Sequence, residues 1–323
     1  MSDNNYPSGQ IDKVNQTTKD RSPHWQKLGL LTIAALLAGY VLNYLEAAPT
    51  WSQLIDRLVV SVGFFILLFG LLWREMTRIR KEKFANIQED LHGIQHVIRD
   101  QLTILELMEG RSEDEVRLHA HIVEQNVQEC LNRFASVFTL LTGTKCRATL
   151  KMIEPGKTTD KPVVYTFMRD IDSERFFKDD DDERRAKGAD LLEDNTDFSS
   201  VFGTKGERWF FCNDLTAQTN YLNSRDKNLT KRDLAGLRAF MNLWKPTDWN
   251  LPYSSTIVWP IRHKGNVPLG AGFSFLGFLT IDSRHRGVFD IKFDTHLGAS
   301  VADSFHHMLV RLIEVGTRDG TND

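Results

Sequence analysis

Two apolar runs near the C-terminus decide the fold class: YSSTIVWPIR at residues 253–262 and FLGFLTIDS at residues 275–283. Both runs are short and rich in β-branched and aromatic residues, which is typical of strands. The segment HKGN at residues 263–266 lies between them and has the glycine and asparagine of a turn. The pair therefore predicts two strands of one sheet.

The same mixed pattern continues toward the N-terminus. Residues 146–152 alternate polar and apolar side chains, and a second apolar run at 163–168 follows turn residues at 154–157, so this pair predicts a β-hairpin. Residues 294–313 place apolar side chains at helical spacing, which predicts an amphipathic closing helix. The other predicted elements are a helix at 112–143, a short helix at 195–202, a strand at 208–214 and a helix at 231–244. This order predicts an antiparallel sheet flanked by helices, an α+β fold.

Part of this pattern resembles a known family. The strands Ser255–Arg262 and Leu276–Ser283, the pair Phe289 and Asp294, and the closing helix resemble the C-terminal half of a GAF domain. The resemblance covers roughly residues 120–315. It implies a cytosolic sensory or dimerisation module with a pocket between sheet and helices. In this family such pockets take cyclic nucleotides, tetrapyrroles, haem or small metabolites, and some members bind nothing.

The chain departs from the best-known binding subclasses of that family. Asp282 and Ser283 stand at the strand end where the cyclic-nucleotide subclass has Asn and Lys. None of the three cysteines fits the pocket cysteine of the bilin-binding subclass. The identity of the ligand and of any cofactor is therefore unknown at this point.

If a ligand pocket exists, aromatic walls with a few polar groups are the expected lining. Against this, the tryptophans and the phenylalanine below are also typical of a hydrophobic core, and acidic residues at strand ends commonly cap turns. The arginine can pair with an anionic ligand or with a neighbouring carboxylate. The candidate ligand-binding residues are Trp209, Phe211, Asp214, Trp244, Trp249, Arg262 and Asp282.

Two uncharged apolar segments near the N-terminus, Leu28–Leu45 and Leu58–Trp73, predict a two-span transmembrane hairpin. At about 1.5 Å per residue they form helices ~27 Å and ~24 Å long, against a hydrocarbon core of ~30 Å. Arg57 is the only basic residue in the loop between them, and the other basic residues flank the hairpin. The positive-inside rule therefore places both termini in the cytoplasm. The sequence thus predicts a multi-pass protein of the inner (cytoplasmic) membrane. The flanking basic residues are Lys19, Arg21, Lys27, Arg74, Arg78, Arg80, Lys81 and Lys83.

Residues 75–110 predict a helical stalk. Apolar residues recur there at spacings of three and four, with Gln101 at one core position, which favours a parallel coiled coil and hence a homodimer or higher homo-oligomer. The alternative is an amphipathic helix that lies on its own C-terminal domain. His96 resembles the phospho-acceptor of sensor histidine kinases, which makes phosphotransfer a further alternative. Against this alternative, no Gly-rich ATP-binding motif follows His96 in the sequence. The apolar residues of the stalk are Phe84, Ile87, Leu91, Ile94, Ile98 and Leu105.

Composition excludes several classes of function. The formal net charge is -3, so there is no basic excess to predict a nucleic-acid partner. Cys130, Cys146 and Cys212 are widely spaced and form no C-x-x-C pair, which predicts reduced, buried thiols and neither a disulfide framework nor a metal site. No catalytic motif is found, so we expect no enzymatic activity and no catalytic residues.

These observations lead to two hypotheses. In the first, a membrane-anchored cytosolic GAF-like domain senses a small molecule or mediates dimerisation, with the lipid bilayer and a second copy as partners. In the second, the hairpin is a membrane-permeabilising effector that clusters when the GAF-like domain is activated. The predicted organisation is a disordered tail at 1–24, the hairpin at 25–74, the stalk at 75–110, the GAF-like domain at 111–316 and a disordered tail at 317–323.

Overall fold

A computed structural model provides the fold. It describes residues 39, 43–44, 50–108, 111, 113–156, 161–188, 190–202, 207–218, 220–226, 249, 251–262 and 275–318. The chain divides into two compact units, Met1–Glu82 and Lys83–Asp323. Several predicted features lie outside the described residues, wholly or for the most part. They are the first membrane span, the helix at 231–244, the turn at 263–266 and both tails.

Helix α1, Trp51–Met108, is 58 residues long and contains both the second predicted span and the predicted stalk. The hydroxyl of Thr50 accepts a hydrogen bond from the backbone N–H of Gln53 (3.4 Å), as an N-cap residue does. Among the described residues this is the one helix long and apolar enough to cross a membrane, and only 6% of its apolar 18-residue window is buried. The two-span arrangement itself stays a prediction, because the first span lies outside the described residues.

The second unit contains an antiparallel five-stranded sheet in the order β2-β1-β5-β4-β3. Helices precede, interrupt and follow the strands, so the predicted α+β class is confirmed. The elements are α2 (Glu113–Thr142), β1 (Cys146–Pro155), β2 (Pro162–Arg169), α3 (Ile171–Lys187), α4 (Thr196–Val201), β3 (Phe210–Cys212), β4 (Ser255–Arg262), β5 (Phe275–Ser283) and α5 (Asp294–Arg318). Short 3-10 turns lie at Leu192–Asp194 and Leu215–Ala217.

One face of the sheet forms the hydrophobic core with α1, α2 and α5. Because side chains alternate along a strand, Ala148, Leu150 and Met152 of β1 all lie on this face. Trp259 of β4 is at its centre: the indole N–H donates to the carbonyl of Thr295 (2.7 Å). Its ring packs on two phenylalanines of α2 and on the backbone at Gly298. The core strand and helix residues are Phe134, Phe138, Ile257, Ile261, Leu279, Ile281, Phe305 and Leu309.

The stalk region of α1 belongs to this same core. Ile94, Ile98 and Leu105 are buried with the apolar face of α2, and the carboxamide oxygen of Gln101 accepts a hydrogen bond from Asn126 (2.6 Å). The structure therefore shows the second of the two alternatives, an amphipathic helix lying on its own domain. Because Ile94, Ile98 and Leu105 are already buried within the chain, they do not form the exposed seam that a coiled coil requires; Phe84, the first apolar residue of the stalk, is exposed.

The three cysteines agree with their predicted state. Cys130, Cys146 and Cys212 are free and buried. Burial raises the pKa of the thiols of Cys130 and Cys146 to about 12, so neither is a thiolate at neutral pH. This state fits reduced structural thiols.

Candidate functional site

The second face of the sheet carries polar side chains. On β1 these are Arg147 and Thr149, the alternates of the core residues. The strand register places Arg147 beside Asp282 and Thr149 beside Thr280 of β5, while Thr256 of β4 pairs with Asp282 from the other side. Directly opposed residues on one face have their Cβ atoms about 5 Å apart, so these side chains form polar rows across three strands.

A cavity of about 240 Å³ lies over these rows, in the second unit. Residues of α3, of the N-terminal half of α4 and of the segment 221–226 enclose it together with the sheet. Six cationic and three acidic side chains line the cavity, which makes it far more charged than the apolar pockets that are common in proteins. They are Lys145, Arg147, Lys151, Arg169, Arg225, Arg284, Asp190, Asp197 and Asp282.

Two of these arginines are held by one buried carboxylate. Asp181 of α3 accepts from Nε of Arg169 (2.5 Å) and from Arg225, and Asp180 also pairs with Arg225 (2.6 Å). Burial opposes ionisation of Asp181, but the hydrogen bond and charge of Arg169, helped by Lys151 and Arg225, outweigh it and lower the pKa. Arg169 and Arg225 are therefore neutralised largely within the protein.

Lys151 of β1 is placed differently. Its ammonium donates to the hydroxyl of Thr166 (3.2 Å) and lies 5.4 Å from the centre of the Phe198 ring. Among the described residues no carboxylate lies within 4.0 Å of its Nζ. Desolvation, reinforced by the charges of Arg169 and Arg225, lowers the pKa of Lys151 to about 8. A desolvated, unpaired ammonium in a cavity is a feature that binding sites commonly show.

The two carboxyl groups deepest in the cavity are shifted toward their neutral forms. Asp197 accepts hydrogen bonds from the hydroxyl of Tyr221 (3.1 Å) and the backbone N–H of Phe198 (3.0 Å), yet burial raises its pKa to about 7. Burial likewise raises the pKa of Asp282 to about 6, although the Thr256 hydroxyl donates to it. Near neutral pH these two residues therefore carry less negative charge than two exposed aspartates.

One buried hydroxyl in the cavity has no partner in the described part of the chain. Thr280 is 3% exposed, and its Oγ1 makes no hydrogen bond there. A buried hydroxyl without a partner costs roughly 1–3 kcal/mol, so a ligand atom that bonded it would recover that free energy. Thr280 thus adds a hydrogen-bonding group to the cavity.

Of the proposed ligand-binding residues that the structure describes, Asp282 alone lines this cavity. Trp209 and Phe211 lie on the core side of β3, where Trp209 packs edge-on against His296 with ring centres 5.2 Å apart. Trp209 and Phe211 are therefore part of the hydrophobic core, the alternative that the sequence analysis left open for them. Trp244 lies outside the described residues.

The other three residues also make local contacts. Asp214 precedes a 3-10 turn, where its carboxylate accepts from the hydroxyl of Thr216 (2.5 Å) and pairs with Arg286 (3.6 Å). Trp249 donates from its indole to the carbonyl of Tyr253 (2.6 Å). Arg262 donates to the carbonyl of Glu207 (3.4 Å). None of the three lines the cavity.

The sequence reasoning missed the polar members of β1. The alternation of residues 146–152 predicts a half-buried strand, and the polar side of such a strand commonly faces solvent. The charged segment 179–185 has the composition of a solvated surface, yet it lies in the C-terminal half of α3 and buries Asp181 against Arg169. The available clue was the presence of Thr280 and Asp282 inside an otherwise apolar strand.

Comparisons with known proteins were made for the whole chain. No family model matches it, and no curated protein does. Among solved structures it is similar to the GAF domain of a phosphoenolpyruvate-protein phosphotransferase (ptsP) from Coxiella burnetii, at 10% identity and a TM-score of 0.34, covering 69% of this chain and 98% of that chain. It is also similar to the GAF domain from an Acinetobacter phosphoenolpyruvate-protein phosphotransferase, at 6% identity and a TM-score of 0.31, covering 68% and 97%.

Both matches are GAF domains, the family that the sequence pattern resembles. We describe the second unit as a GAF-like domain on the basis of that pattern and of its own antiparallel sheet with flanking helices. Within the described residues no three His, Cys, Asp or Glu side chains are grouped so that they could hold a metal ion.

Proposed function

We propose that this chain is a membrane-anchored sensory protein whose GAF-like domain binds a small molecule. The observation that carries the proposal is the cavity on the polar face of the sheet. Burial shifts the pKa values of Lys151, Asp197 and Asp282 in this cavity. Shifted pKa values of this kind are common at binding sites. The main hydrophobic core lies on the opposite face, and the smaller apolar cluster on the cavity face is formed by other residues, among them Val258, Phe278 and Phe198.

Membrane anchoring is supported by the first unit. The helix window around Leu58–Trp73 leaves large apolar side chains exposed, which in water would be unfavourable. Arg57, before that window, donates to the carbonyl of Tyr44 (2.7 Å) and lies 4.7 Å from the centre of its ring. This contact joins residues on the two sides of the predicted loop, as a hairpin requires. We propose two spans, with both termini in the cytoplasm.

The proposed role is binding and not catalysis. In the described residues of the cavity the acids are hydrogen-bonded, and no cysteine lines it. A homodimer remains part of the proposal. It would use a surface other than the buried stripe of the stalk.

Native mass spectrometry of the full chain in detergent tests the proposal. We expect a small molecule from the cell to remain bound and to be released on collisional activation. Thr280→Met should abolish that mass, because its larger side chain fills the cavity without removing a hydrogen bond seen in the structure. Thr103→Met, the same change on the exposed face of α1, should retain it.

Two results would contradict the proposal that the cavity binds a small molecule. A folded wild-type protein that carries no small molecule, and whose melting temperature does not change in a cellular small-molecule extract, would contradict a sensory cavity. So would an adduct that survives unchanged in Thr280→Met.

A further inference from the structure

We infer that the cavity binds a small phosphate-bearing anion, which Lys151, Arg147 and Thr280 hold on the sheet. This inference rests on the proposed function, since it assigns the chemical class of ligand to the same cavity. It is carried by the geometry of the three side chains and by the charge that surrounds them.

The arrangement of the three side chains follows from the strand register. Thr280 lies directly opposite Thr149, and Arg147 and Lys151 are the residues two positions before and after Thr149 on the same face. Thr280 is therefore the diagonal neighbour of both cations, at about 7–8 Å, a separation that long side chains bridge. A hydroxyl donor flanked by two cations is a suitable arrangement for an oxyanion with several acceptor oxygens.

The charge balance of the cavity also favours an anion. Arg169 and Arg225 are paired with Asp181, and Lys145 is paired with Asp172, whereas Arg147, Lys151 and Arg284 have no ion pair within the described residues. Asp282, the cross-strand neighbour of Arg147, instead accepts a hydrogen bond from Thr256. Asp197 and Asp282 are partly neutral, and Asp190 is paired with Arg184, so the acids that face the cavity offset its three unpaired cations incompletely.

A phosphate group matches these features better than a carboxylate. It carries roughly -1.5 to -2 charges at neutral pH and several strong acceptor oxygens, which corresponds to two cations and a hydroxyl donor. A carboxylate carries one charge and leaves more of this positive charge unbalanced. The cavity of about 240 Å³ is below the usual range for drug-sized ligands, about 300–1,000 Å³, so the ligand is a small metabolite.

Calorimetry on the full chain in detergent, after dialysis and at constant ionic strength, tests this class. The probes are inorganic phosphate and glycerol 3-phosphate, with acetate and glycerol for comparison. We expect the two phosphate probes to bind, and Lys151→Met and Thr280→Val each to weaken that binding about tenfold or more, as loss of a hydrogen bond involving a charged group does. Lys178→Met, on the exposed side of α3, should bind like wild type.

Several results would overturn the inference. Acetate binding as tightly as phosphate would assign the site to carboxylates, and phosphate binding that survives both Lys151→Met and Thr280→Val would place the anion elsewhere. Thr280→Val differs from wild type by one buried hydroxyl. Its phosphate affinity therefore tests the inference even if Lys151→Met fails to fold. If phosphate does not bind but native mass spectrometry finds a neutral molecule, the sensory proposal stands and the anion inference fails. If no molecule binds at all, both fail.

Discussion

At the scale of single residues, Asp197 couples the stability of the domain to pH. Its pKa is about 7 in the folded protein because burial disfavours the carboxylate, against a usual value of 3.8. The folded state therefore retains a proton that the unfolded chain releases between about pH 4 and pH 7. By linkage, stability falls as the pH rises through that interval.

We predict that Asp197→Asn removes most of this pH dependence. The amide keeps an oxygen for the Phe198 N–H and an NH₂ group that can donate to the Tyr221 hydroxyl, but it does not ionise. The variant should gain up to a few kcal/mol over wild type at pH 8 and little at pH 4, since one pKa unit corresponds to about 1.4 kcal/mol. Urea unfolding at both pH values measures the difference.

Asp303→Asn is the matched control, because Asp303 is exposed on α5. It should leave the pH dependence of unfolding as in wild type. Asp282 is shifted in the same direction as Asp197, so a smaller slope should persist in Asp197→Asn. An Asp197→Asn variant that loses stability between pH 5 and pH 8 as steeply as wild type would refute the assignment.

At the scale of elements, α5 approaches β4 closely at one glycine. A Cβ at Gly298 would lie 2.1 Å from Cζ2 of Trp259, which is far inside van der Waals contact. We predict that Gly298→Ala destabilises the domain by about 1–3 kcal/mol, the usual cost of overpacking. In a Trp259→Phe background the same change should cost less, because the smaller ring makes room for the added methyl group.

A double-mutant cycle by chemical unfolding measures this coupling. Ser300→Ala, an exposed change on the same helix, should alter stability only slightly. Equal costs of Gly298→Ala in the two backgrounds would mean that the indole is not what the new methyl group meets.

The C-terminal part of α1 is equally an element of the core. We predict that a fragment of residues 83–323 unfolds cooperatively, whereas a fragment of residues 112–323 is much less stable and binds a hydrophobic dye. The longer fragment keeps Ile94, Ile98 and Leu105, whose removal would expose the apolar face of α2. Circular dichroism and dye fluorescence compare the two. A shorter fragment that melts like the longer one would contradict the packing of the stalk.

The sequence predicts those elements that a local pattern determines, and it does not predict features that depend on contacts between elements. The strands β4 and β5 could be predicted because their runs are apolar on both faces and bounded by turns. The cavity could not, because whether Thr149 and Lys151 of β1 meet water or protein is decided by α3, which closes over them through Asp181 and Arg169. Asp181 is also held by Arg225, 44 residues further along the chain, and a highly charged helix gives no local sign of these contacts.

At the scale of the whole molecule, the anchored sensor and the membrane effector predict different behaviour in cells. If the chain is a sensor, its overproduction should leave growth unchanged, and the full chain should fractionate with membranes and resist extraction with alkaline carbonate. The fragment of residues 83–323 should be soluble, because it lacks the exposed apolar window of α1. Growth curves and fractionation after induction measure both.

Growth arrest would favour the effector, particularly if Gly39→Leu relieved it. A Cβ added at Gly39 has no atom of the described residues within 4 Å, and the effector hypothesis places this glycine at a contact between copies. Gly63 lies in the other predicted span and also has no described atom within 4 Å of an added Cβ. Gly63→Leu is therefore the substitution to compare with Gly39→Leu.

The two faces of the sheet have a consequence for how such a protein can change over generations. Along β1, the residues that face the cavity alternate with those that build the core, so the two sets accept substitutions under separate constraints. Exchanges at positions 147, 149 and 151 would alter what the proposed site recognises, while positions 148, 150 and 152 continue to hold the fold together. A lineage carrying this domain can therefore acquire a new ligand through a few substitutions without first losing its fold.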